Sequence, residues 1–503
     1  MKNERINILF KYIALLTVIM LAQSCNKDKV DFDELIERYS KEKKDSLKLQ
    51  CAIFLKDNIK DITSEQPYFY NENKEKANFI LDTVTSDSSL KSILKKEKID
   101  FSSFRISDAD ILSSEILEDN INKAISDWKT YPWNKNVSKD IFLNYLLPYK
   151  VLCENPENWR GRLFLKYKDS IAKHERNGDR NSEHLYYSLK KEAWSWLKYT
   201  NDFTKITQSP SLSELLAVKK GQCYELSHLF VYIARSAGIP ATIDIVPLWG
   251  KTGGSHAADV FYGPIRENGV IKRYGLRPGD PFVSPPKVLR MSFRKVNLWS
   301  DSIKPIIVNK NYYIPDFLKS DHLLDVTQEY VSSSNLVYQF EKRLGVPLAY
   351  ICVYNYGEWV PVFYGRVFQN GKYVKFNAMA KDMAYHIAVP IGNKYQLIDK
   401  PFILDSMNHI SYSNPNFDRK INIVLNKTNV GQESWVKKNR EYNLMFLDKD
   451  NVWKGIGSKF CDQDSTLTFT SIPSGAFYML KETKNNKKLE RIFLYEHGQQ
   501  IWY

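Results

Sequence analysis

Between residues 221 and 281 the hydrophobic period of the chain switches from helical to extended, and a cysteine, a histidine and an aspartate stand where it switches. Leu226, Leu229, Phe230, Ile233, Ala234 and Ala237 recur at the three-and-four spacing of one helix face. Cys223 precedes them on that face, so the spacing places it at the helix start, facing inward. Gly238 and Pro240 end the helix, because glycine accepts a left-handed turn and proline cannot extend the backbone bonding. Alternation over residues 241–246 predicts a strand, and a loop follows through Pro247, Trp249, Gly250, Gly253 and Gly254. His256 opens a second strand ending near Tyr262. A third, around Val270 to Leu276, leads to Asp280 within Pro278-Gly279-Asp280-Pro281.

These residue types in this order suit acyl transfer through a thiol. A thiolate needs a base beside it and a third group to hold that base. The unpaired N–H groups and positive dipole end of a helix stabilise a thiolate or the oxyanion of an acyl intermediate. Gln222 is a candidate oxyanion donor, and Gly221 leaves room for a substrate. His256 would take the thiol proton and return it to a leaving amine, and Asp280 would orient the ring. His228, about 140° round the helix from Cys223, reads as structural. Asp259 is a local competitor of Asp280, but its position in the strand points it to the face opposite His256.

Gly-Gln-Cys223-Tyr-Glu-Leu-Ser-His, Arg-Ser-Ala-Gly-Ile-Pro-Ala and Gly-Ser-His256-Ala resemble motifs of the transglutaminase-like superfamily. The resemblance implies a circularly permuted papain-like core, with Cys223 as nucleophile, His256 as base and Asp280 as orienting acid. Upstream, Phe142-Leu-Asn-Tyr-Leu-Leu-Pro-Tyr149 and Glu157-Asn-Trp-Arg160 are similar to segments preceding the core in bacterial lipoprotein members. In those members the resemblance favours hydrolysis of peptides or related amides. Ala258 stands where the family usually carries a tryptophan, two residues after the histidine, and Asp280 follows a longer connection than the usual tight hairpin. The alternative function is a catalytically inactive surface binding protein on the same fold.

Lys2, Arg5 and Lys11 precede an apolar run from Tyr12 to Ala22, followed by Gln23-Ser24-Cys25. The run is about eleven residues, short of the ~20 that span a bilayer, so it reads as an export segment. Similarity to lipoprotein signals implies cleavage before Cys25, lipidation of that residue and attachment to a membrane of the cell envelope, with the outer membrane expected. The remaining cysteines, Cys51, Cys153, Cys223, Cys352 and Cys461, are too sparse for a disulfide framework. No Cys-x-x-Cys or His-x-x-x-His spacing appears, so neither a metal nor another cofactor is expected. The net charge of +14 is interleaved with acids, as in Lys41-Glu42-Lys43-Lys44-Asp45, which reads as solvated helix faces rather than a nucleic-acid surface. The expected partners are a peptide, protein or cell-envelope amide substrate and the membrane.

The fold class expected is α+β and multidomain. A signal over residues 1–24 precedes a helical region (25–130), the transglutaminase-like core (131–320), a β-rich domain (321–418) and a C-terminal β-sandwich (419–503), the last two being sandwich modules. The stretch before about 210 reads as mostly helical, with an amphipathic helix over 47–59. Gln369-Asn370-Gly371-Lys372 reads as a hairpin turn, because Asn-Gly tolerates left-handed backbone. Exposed aromatics of the β modules would suit glycan or protein binding, though tyrosine and tryptophan in such strands ordinarily form core.

Overall fold

The structure is a computed structural model, and it describes residues 29–42, 46–262, 272–273, 284–296, 303–430, 434–462, 466–484 and 490–503. Helices and strands are mixed, with helices concentrated before residue 240 and sheets after 330. The chain divides into two compact units, residues 1–242 with 259–272 and residues 243–258 with 273–503. The strands Ala241–Val246 and His256–Phe261 each carry the chain across that division.

In the first unit the Cys223–Ser236 helix is the buried centre. Residues 225–236 are all buried, so the helix is wrapped on every side rather than half-exposed as its apolar stripe suggested. Its polar residues survive there because each has a partner. Arg235 donates to the carbonyls of Ala241 and Lys150 at 3.0 and 2.8 Å, and Ser236 donates back to Ile233 at 2.8 Å. The Trp159–Arg176 and Ser182–Trp194 helices pack against it, with Trp159 4.8 Å from Tyr232 and Trp194 5.4 Å from Phe230 between ring centres. Gly238 adopts φ +71° just past the helix, and a side chain there would lie 2.5 Å from the Tyr131 ring.

The Ser46–Ile59 helix matches the expectation for 47–59. The mostly helical reading of the N-terminal region missed an antiparallel ribbon, Thr63–Tyr70 paired with Asp100–Ser107. Its second strand is largely exposed and polar, so it lacks the alternation that reveals a strand in sequence.

The second unit contains a seven-stranded antiparallel sheet. Its order is Ser333–Gln339, Tyr373–Ala380, Glu358–Phe368, Leu348–Asn355, Met383–Ile391, Lys394–Leu404 and Ile410–Tyr412. Leu348–Asn355 is buried along its whole length, as a central strand must be. The hairpin between Phe368 and Tyr373 falls where Asn370-Gly371 predicted it, with Gln369, Asn370 and Gly371 all left-handed. A further two-stranded pair, Asn416–Leu425 with Leu467–Ser474, and a five-stranded sheet spanning Glu441–Leu447 to Gln499–Trp502 share one core through Ile423, Leu425, Phe469, Leu444, Tyr478 and Phe493. In this unit Asp244 is fully buried on its strand and is neutralised by Arg290, whose Nε and Nη2 reach its two oxygens at 2.8 and 2.7 Å.

Candidate functional site

Cys223 is the first residue of its helix and is half-buried. What holds that helix start is Glu225, buried one residue beyond Tyr224. Its carboxylate accepts the Gln222 backbone N–H at 3.0 Å and pairs with Lys205 at 2.8 Å. Gly221 serves this packing: a Cβ there would come 2.5 Å from the Glu225 Cβ. The room read in sequence as substrate space is therefore occupied by Glu225. Gln222 itself is exposed.

A short parallel pairing of Lys198–Tyr199 with Lys220–Gly221 sets Tyr199 beside Gly221, two residues before Cys223. The Tyr199 hydroxyl is pushed up from its usual value by partial burial and then by the nearby Cys223 and Glu225 side chains. It therefore keeps its proton near neutral pH and can donate it in a hydrogen bond. Sequence reasoning missed Tyr199, because nothing in the local pattern of Lys198-Tyr199 points to a strand two residues long lying beside Gly221.

His256 begins its strand in the second unit and is partly exposed. Trp249 lies against the imidazole, the two rings 5.7 Å apart between centres and inclined by only 24°. Trp249 in turn packs on a cluster formed by Val246, Ala258, Val288, Val326 and Tyr330.

Residues 168–269 match the transglutaminase-like superfamily. The matched span holds both Cys223 and His256 and supports the superfamily reading of the core. No curated protein matches the chain.

Ala258, which departs from the tryptophan that the resemblance implies, is buried. Trp249, from the loop before the histidine, packs in the cluster that contains Ala258 and supplies the imidazole with an aromatic neighbour. Asp280 and the lipidation candidate Cys25 lie outside the described residues.

Asp259 is engaged within the first unit. It pairs with Lys190 at 2.8 Å and accepts hydrogen bonds from the Tyr186 hydroxyl and, at 3.4 Å, from Ser227. His228 is fully buried, its Nε2 3.1 Å from Glu154 and its ring stacked on Tyr232. Glu154 also accepts the N–H groups of Val151 and Leu152 at 2.5 and 2.7 Å and the Tyr232 hydroxyl at 2.6 Å. Burial opposes its charge, but His228, Lys150 and Tyr232 outweigh burial and hold the carboxyl well below the usual range. His228 thus belongs to a buried polar cluster on the inner side of the cysteine helix, in keeping with its structural reading.

No disulfide joins the five described cysteines to one another. Among the described residues no cluster of His, Cys, Asp or Glu has a metal-binding arrangement, and no helix is long and apolar enough to cross a membrane.

Proposed function

We propose that the protein is a cysteine amidase of transglutaminase-like type. The Cys223 thiol gives its proton to His256, the sulfur attacks an amide carbonyl, and the tetrahedral oxyanion forms near the first-turn N–H groups of the helix. His256 then returns the proton to the leaving amine, and the resulting thioester is released by water. Asp280 is assigned the orienting role, and Gln222 and the Tyr199 hydroxyl are assigned as donors to the oxyanion. The observation that carries this reading is the half-buried thiol at the head of a helix whose start is fixed by Glu225, inside a segment that matches a superfamily built on such a cysteine.

Peptides or related cell-envelope amides are the proposed substrates. The basic-then-apolar run ending in Leu21-Ala22-Gln23-Ser24-Cys25 supports export and lipid attachment through Cys25, with the outer membrane as the proposed location. The sheets beyond residue 330 are read as two C-terminal β-sandwich modules.

Wild-type and Cys223→Ser proteins incubated with a peptide library, with and without added amine, test the reading by product mass. Cleavage by the wild type alone marks a hydrolase, and amine incorporation marks a transferase. Silence from both proteins, together with alkylation of Cys223 that is slow and indifferent to His256→Ala, ends the enzymatic reading in favour of a binding protein on the same fold.

A further inference from the structure

The loop that precedes His256 is fastened at several points by residues far away in sequence, all within the second unit. Asn355, the last residue of the central Leu348–Asn355 strand, is fully buried. Its side-chain amide donates to the carbonyls of Trp249 and Gly254 at 3.1 and 3.0 Å, and its Oδ1 accepts the Gly254 N–H at 3.0 Å. The loop closes on itself at the same place, since the Trp249 N–H donates to the Gly254 carbonyl at 2.9 Å. Gly254 sits at φ +90°, a conformation that glycine supplies without strain.

Gly250, the next residue after Trp249, is held from both sides. Its N–H donates to the Ser284 carbonyl at 3.0 Å, and its carbonyl accepts from the buried Arg491 guanidinium. A side chain at Gly250 would meet the Met383 thioether at 2.2 Å, so the loop lies flush on the sheet.

A buried asparagine with three good hydrogen bonds and a buried arginine on a loop carbonyl are costly groups to place, and leaving either unsatisfied would cost more. All three Asn355 side-chain bonds and one from Arg491, whose Nη2 also donates to the Tyr503 carbonyl at 3.2 Å, reach the loop that carries the Trp249 ring onto His256. We propose that Asn355 and Arg491 are positioning residues, which clamp the loop from Trp249 to Gly254 so that the Trp249 ring stays stacked on His256. The β-rich region then acts as a scaffold for the histidine. That His256 serves as a base rests on the function proposed above; the clamp itself does not.

The test reads His256 directly and needs no turnover. Each histidine of the full chain is mapped by mass for modification by diethylpyrocarbonate in wild type, Asn355→Ala, Trp249→Leu and the double variant. His256 should react about fivefold faster in each single variant, the factor that matches losing one ring contact. The double variant should be no faster than either single one, because both lesions remove the same stacking. Exposed His409 should react equally in all four. If Asn355→Ala does not fold, Arg491→Lys replaces it in the same cycle. An unchanged His256 rate in a folded clamp variant, or a double variant faster by the product of the two singles, overturns the proposal. Neither result bears on whether Cys223 is a nucleophile.

Discussion

Glu214 should make the first unit less stable as the pH rises through neutrality. It is 3% exposed in the first turn of the Leu212–Val218 helix. Its carboxylate accepts the Ser211 N–H at 2.6 Å and the Thr207 hydroxyl at 2.9 and 3.0 Å, while the Ser211 hydroxyl accepts the Glu214 N–H at 3.3 Å. Burial is the largest influence on the carboxyl. It overrides those bonds and, with the neighbouring Glu157 carboxylate, lifts the pKa from 4.5 to about 7. A rise of that size corresponds to about 3 kcal/mol. The folded protein holds this proton more tightly than the unfolded chain. Its contribution is therefore whole below pH 4.5 and is lost as the pH climbs through about 7. Glu157 is raised as well, so the two carboxyls share the transition and broaden it.

Glu214→Gln keeps a capping side chain of the same length and removes the titration. Hydrogen exchange of the amides over residues 207–218 should be compared in the two proteins at each pH, so that the intrinsic pH dependence of exchange cancels. Relative to the glutamine variant, wild-type protection should fall by about 3 kcal/mol between pH 4.5 and 7. A gap between the two proteins that does not change with pH refutes the argument.

Other substitutions follow from the same packing. Lys150 is buried against Asp108 at 2.6 Å, so Asp108→Asn should cost about 3–5 kcal/mol in urea unfolding, and a double change with Lys150→Met should recover much of it; a loss under 1 kcal/mol would mean the pair is dispensable. Gly221→Ala pushes a Cβ into Glu225 and should cost about 1–3 kcal/mol while slowing alkylation of Cys223 by iodoacetamide; an unaltered alkylation rate would separate Glu225 packing from the cysteine's placement.

The parts legible in sequence were those written in local period. The Cys223 helix runs from Cys223 to Ser236 and stops at Gly238, and the strands at Ala241 and His256 begin where the alternation does. A 3.6 or 2.0 repeat records which face a short segment buries, and glycine records backbone that only it adopts comfortably. Partner choice leaves no such trace. The Thr63–Tyr70 ribbon pairs with a strand that has almost no buried face, and Tyr199 is set beside Gly221, close in sequence to Cys223, by a two-residue pairing.

From its sequence alone this chain declared a cysteine at a helix start, a histidine at a strand start and β-rich structure beyond them. Tertiary structure alone decided that Glu225 fills the space over Gly221, that the cysteine helix is buried all round, and that Trp249 supplies a ring beside His256. Asn355 lies 101 residues along the chain from Gly254 and meets it only because sheet pairing brings a buried strand end to that loop. Local propensity is set by neighbours within a turn or two, whereas the satisfaction of a buried polar group is set by whatever the fold brings within hydrogen-bond reach.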